Sequence, residues 1–66
     1  MSLDEVKKEI MIYLLAHEHA RTSDIVFDLG FDPELVIEAL YSLEAAGEIE
    51  GKPLQAKQNQ PITENN

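Results

Sequence analysis

The sequence has no cysteine, so neither a disulfide nor a thiolate metal site is available to staple it. It is also short of cations. Five Lys and Arg stand against thirteen Asp and Glu, a net charge of −8 with the histidines neutral. That balance favours solubility and repels a polyanion. Long apolar runs are missing too: the MIYLLA stretch falls far short of the ~20 residues that span a bilayer. No secretory pattern is read at the start, and with the lack of cysteine the expected compartment is the cytoplasm. At 66 residues the chain is one small domain. Such a domain buries roughly 60% of its unfolded surface and is marginal alone, so oligomerisation or very regular helix packing is expected to supply the rest.

What is present is helical punctuation. The clearest stretch is FDPELVIEALYSLEAAG, in which Asp32 is a good N-cap and Pro33 fits the first helical position. Glu34 suits the positive end of the helix dipole, and Gly47 is the expected left-handed C-cap. At helical spacing Val36, Leu40 and Leu43 form a core stripe flanked by Ile37, Ala39 and Ala46. The opposite face is Glu34, Glu38, Tyr41, Ser42 and Ala45, without a single Lys or Arg.

Upstream, Ser2 and Glu5 match a capping box, which predicts a first helix from about Leu3 to about Glu18. Leu3, Val6, Ile10, Tyr13, Leu14 and His17 share one face. Met11, Ile12 and Leu15 lie on the far side, where either another part of the domain covers them or they form a helix-to-helix dimer surface. HEHART reads as a polar connector. His17 and His19 are two apart and point in different directions, so no metal ligand set is expected. Thr22 or Ser23 should cap a short second helix through about Leu29. Ile25, Val26 and Leu29 should face the core, with Phe27 touching it from the side, and Gly30 should end the helix. Phe31 is placed as a hydrophobic staple.

After Gly47 the pattern alternates. Glu48-Ile49-Glu50 predicts a short edge strand, Lys52-Pro53 a turn, and Leu54-Gln55-Ala56 a returning strand. Residues 57–66, KQNQPITENN, hold too few apolar groups to offset ordering entropy and are expected to be disordered.

A short second helix from T22-S23-D24-I25 to L29-G30, core positions V36, L40 and L43, and the closing "L-E-x-x-G-x-I" of residues 43–49 together resemble the winged-helix family of helix-turn-helix domains. The resemblance covers about residues 3–52. It implies a mainly α fold, a three-helix helix-turn-helix core with a short or truncated β wing, over residues 1–56, with the tail outside. It also implies a transcription or DNA-transaction setting. In that family the third helix usually enters the major groove. The reading residues would then be Glu34, Glu38, Tyr41, Ser42 and Ala45, with phosphate contacts from Arg21, Thr22, Ser23 and Lys52.

Charge weighs against DNA as the main ligand. A specific binder commonly neutralises ~6–10 phosphates, and one subunit here fields about two. Glu34 and Glu38 would face the groove, with Asp24 and Asp28 nearby. The family's wing normally carries a basic loop, and this one is short. A dimer doubles the cations and the acids alike. The alternative is a fold turned to protein recognition, in which Tyr41 is the anchor and Glu34, Glu38, Glu48 and Glu50 steer a basic partner. The plain alternative is a solvated acidic face, or a module that only oligomerises. An enzyme is not expected. Ser2, Thr22 and Ser23 sit at caps, Ser42 has no histidine in its segment, and no phosphate loop, cofactor site or small-molecule pocket of ~300 Å³ is anticipated in so short a chain.

Overall fold

A computed structural model describes residues 1–57 and folds them into three helices and a small two-stranded antiparallel sheet. The segment 58–66, most of the stretch expected to be disordered, lies outside the described residues. Lys57 itself closes the hairpin, its amide donating to the Glu48 carbonyl at 2.8 Å.

Helix α1 spans Leu3–His17. Its capping box forms as its sequence dictates: the Glu5 amide donates to Ser2 Oγ at 3.2 Å, and the Ser2 amide donates to Glu5 Oε1 at 3.0 Å. Those bonds, the backbone one foremost, hold the Glu5 carboxyl below its ordinary range. The helix stops at Glu18, whose φ of 62° lies where L-residues are strained. The His19 amide turns back there onto the His17 carbonyl at 2.6 Å, a γ-turn.

Helix α2 spans Thr22–Leu29. Its N-cap is Arg21, one residue earlier than expected. No hydroxyl caps it; the Asp24 carboxylate reaches back to accept from the Arg21 amide at 3.1 Å. Gly30 ends it at φ 71°, its amide donating to the Val26 carbonyl at 3.0 Å. Helix α3 spans Pro33–Ala45, with the Asp32 carboxylate accepting from the Glu34 amide at 2.9 Å. Ala46 is the C-cap in right-handed geometry, and Gly47 follows with the positive φ that only glycine adopts freely.

The strands are β1, Ile49–Glu50, and β2, Gln55–Ala56, paired Ile49 with Ala56 and Glu50 with Gln55. A third partner comes from the α1–α2 connector: Ala20 and Leu54 exchange both backbone hydrogen bonds at 2.9 Å. The connector is therefore not only polar. Ala20 is buried and forms the far edge of the little sheet, with β2 between it and β1.

Val6, Ile10, Leu14, Ile25, Val36, Ala39, Leu43 and Ile49 build the core, and no polar side chain is buried among the described residues. Several expectations about it fail. Ala46, expected to flank the core stripe of α3, is exposed, because it lies past the last turn of the helix as its C-cap. His17 is exposed, its ring stacked on Tyr13 with centroids 4.0 Å apart. Phe27 does not touch the core from the side but is 86% exposed. Met11 packs partly against the core, so the proposed dimer face shrinks to Ile12 and Leu15. Leu35, assigned to no face from its spacing, is half-buried and packs on the core as well.

No helix among the described residues is long and apolar enough to cross a membrane.

Candidate functional site

Helix α3 meets its surroundings on two sides, and the difference follows from its spacing. At about 100° per residue, Val36, Ala39, Leu40 and Leu43 turn inward and are buried. Ile37, Tyr41 and Glu44 turn toward the start of α2 and the hairpin turn. There they border an open groove of about 760 Å³, closed on its other side by Arg21, Thr22, Lys52 and Pro53, with Leu40 and Leu54 beneath. The groove is larger than so short a chain was expected to form because it is a cleft open to solvent rather than an enclosed pocket.

Two of its lining residues are apolar side chains left in water. Tyr41 is 70% exposed and Ile37 is 43% exposed. They stand four residues apart and so lie one above the other on the helix. Ile37 had been expected to flank the core; it faces the groove instead. Glu34, Glu38 and Ala45 are exposed on the same helix but border no part of the groove. They lie on the other side of Tyr41, which thus separates an acidic flank from the cleft.

Ser42 does not belong to this surface. It is half-buried and turned toward α1, where Lys7 Nζ donates to its Oγ at 3.2 Å. The Lys7 ammonium also lies 3.8 Å from Asp4, so that cation serves the α1–α3 contact.

The residues assigned to phosphate contact are partly brought together. Arg21, Thr22 and Lys52 line the groove; Ser23, exposed on α2, does not. Neither Arg21 nor Lys52 has an ion-pair partner among the described residues. The structure thus joins members of two sets that were kept apart by sequence: Tyr41 as a protein anchor, and Arg21, Thr22 and Lys52 as nucleic-acid contacts. Glu44 and Pro53 were missed. The signal was available for Glu44, which lies three residues beyond Tyr41 on the same face. For Pro53 it was not, because only the folded hairpin carries it across to α3.

On α1, away from the lining of the groove, Ile12 and Leu15 are 51% and 62% exposed. A shallow depression beside Leu15 is bordered by Glu18, His19, Gln55 and Ala56.

Between α1 and α2, the Tyr13 hydroxyl donates to the Asp28 carboxylate at 2.5 Å. That bond first, then burial and the carboxylate charge, push the Tyr13 phenol up to about 12. The short charge-assisted bond ties α1 to α2 and belongs to the scaffold, away from the groove.

No group of three or more His, Asp or Glu side chains among the described residues is placed to hold a metal ion. No protein-family model, curated protein or solved structure matches this chain.

Proposed function

We propose that the chain is a small winged-helix-like regulatory module of a cytoplasmic transcription or DNA-transaction system, working through protein contact at the outer face of α3. The single observation behind this reading is the exposure of Tyr41 and Ile37, side by side on the rim of an open groove. Large apolar groups held in water on a rigid helix are the usual anchors of a protein interface. The acids on the far side of Tyr41, Glu34 and Glu38, steer a partner that carries basic residues. A chain of net charge −8 has little attraction for a duplex.

A second reading has its own observation. Arg21, Thr22 and Lys52 share the groove with Tyr41, the side on which a winged-helix domain would meet DNA with its third helix and wing. Self-association through Ile12 and Leu15 would supply the second subunit that this reading needs. Leu15→Asp tests that face: the helical circular-dichroism signal should persist while the sedimenting mass falls from dimer to monomer. A wild-type chain already monomeric at high concentration removes the dimer.

The two readings separate in one titration. 15N-labelled protein is mixed with a random-sequence duplex or with an amphipathic Lys/Leu peptide, at low salt and at ~150 mM. The peptide should move the amides of Ile37, Glu38 and Tyr41 at both salt levels, and the duplex should move none. A duplex that shifts Arg21, Thr22 and Lys52 at low salt and releases them at ~150 mM would establish DNA reading in place of protein recognition.

A further inference from the structure

The charge around the groove is not that of the molecule. Thirteen acids outnumber five bases along the chain, yet the charged groups lining the groove are Arg21, Lys52 and Glu44, two cations to one acid. Of the other three cations, Lys7 is held by Asp4 and Ser42, and Lys8 and Lys57 border no part of the groove. Arg21 and Lys52 are exposed and carry no ion pair among the described residues. They reach this place from distant parts of the chain, one just before α2 and one in the hairpin turn. The packing of α2 and the hairpin on α3, together with the bridge between Ala20 and Leu54, sets them against the same helix.

Resting on the protein-recognition reading above, we infer that the groove takes a peptide segment with two unlike ends. An apolar side chain seats between Ile37, Tyr41 and Pro53. A carboxylate next to that anchor meets Arg21 and Lys52, and basic residues on the other side of it lie over Glu34 and Glu38. Tyr41 is the boundary between the two halves. Opposite charges on its two sides give the segment a direction, because the reversed peptide places like charges together on both flanks. The apolar lining favours a peptide over a phosphate backbone. A nucleic-acid strand has use for the two cations but leaves Ile37 and Pro53 uncovered.

The test is a display selection of random twelve-residue peptides on the intact chain, with the best enriched sequence synthesised and its binding followed by anisotropy. Enriched peptides should carry Leu, Ile, Met or Phe with Asp or Glu within a few residues on one side and Lys or Arg on the other. The double variant Arg21→Glu, Lys52→Glu should weaken the synthesised peptide by at least about tenfold, the equivalent of about 1.4 kcal/mol. Reversing its sequence should weaken it similarly. All three substitutions, Tyr41→Ala included, are at exposed positions and should leave the circular-dichroism spectrum unchanged.

Winners that depend on Tyr41 but are indifferent to the double variant would overturn the charge assignment and leave protein recognition standing. Winners indifferent to Tyr41→Ala, or no enrichment at all, would overturn both. Displacement of the peptide by a random duplex, lost in the double variant, would give the groove to nucleic acid.

Discussion

On its inner side α3 presents Val36, Ala39, Leu40 and Leu43, all buried against α1, α2 and the hairpin. On its outer side Ile37 and Tyr41 stand in solvent near Glu34, Glu38 and Glu44. Both sides contain large apolar residues. The inner ones are enclosed by other apolar side chains, so removing one leaves a hole that the fold cannot refill. The outer ones face water and an open cleft, so removing one costs the free molecule little. Composition alone does not separate scaffold from site here; what each side chain is covered by does.

Leu43→Ala should break the inner face. The loss of about 2–5 kcal/mol is comparable with the whole stability of a domain this small. The variant should be largely unfolded at 25 °C by circular dichroism; a cooperative transition near the wild-type midpoint would refute the packing described. Asp32→Ala should cost about 1 kcal/mol by removing the cap from the Glu34 amide, lowering the melting midpoint by roughly 4–8 °C. An unchanged midpoint would mean the cap bond contributes nothing.

Tyr13→Phe acts through pH. The folded phenol is pushed up to about 12 from an unfolded value near ~10. The stabilisation is therefore complete below pH ~10 and disappears as the pH rises toward the folded value. The variant should melt lower at neutral pH and lack that part of the alkaline decline. Parallel stability curves between pH 9 and 12 would show that the bond to Asp28 is absent in solution. The smallest effect on stability belongs to the outer face: Tyr41→Ala should change it by no more than about 0.5 kcal/mol while abolishing peptide binding. A large loss of stability there would mean that Tyr41 is part of the scaffold.

Much of the scaffold was legible because its signals are local. Ser2 with Glu5, Asp32 before Pro33, and glycines at 30 and 47 each act within a turn of their own position, and they fix where the helices begin and end. The two halves of the hairpin were legible from alternation around a Lys-Pro turn. The failures are of two kinds. In α2 four of eight residues are apolar, and the spacing that rightly turns Val26 toward the core also gives Phe27 a side contact it does not make; packing against α1 and α3 leaves Phe27 outside. Ser42 sits at the edge of the outer face of α3, and only the neighbouring helix, through Lys7, draws it away. The groove itself was invisible, since it needs Arg21, Tyr41 and Lys52 brought together by a pairing between residues 20 and 54. No local pattern announces that pairing in HEHART.

That same pairing bears on how the chain opens. A hairpin with two-residue strands would ordinarily fray by itself, since an isolated pair of strands is marginal in water. Here its returning strand is also bonded to the segment between α1 and α2. The hairpin therefore cannot peel away without releasing Ala20, and the groove cannot lose one wall without disturbing the joint between the first two helices. Amide hydrogen exchange should report this directly: the Ala20 and Leu54 amides should exchange with the slow core of α1 and α3, as members of one cooperative unit, although both lie outside the helices. If they exchange early, the groove wall is a separately opening part, and its shape is set only when a partner arrives.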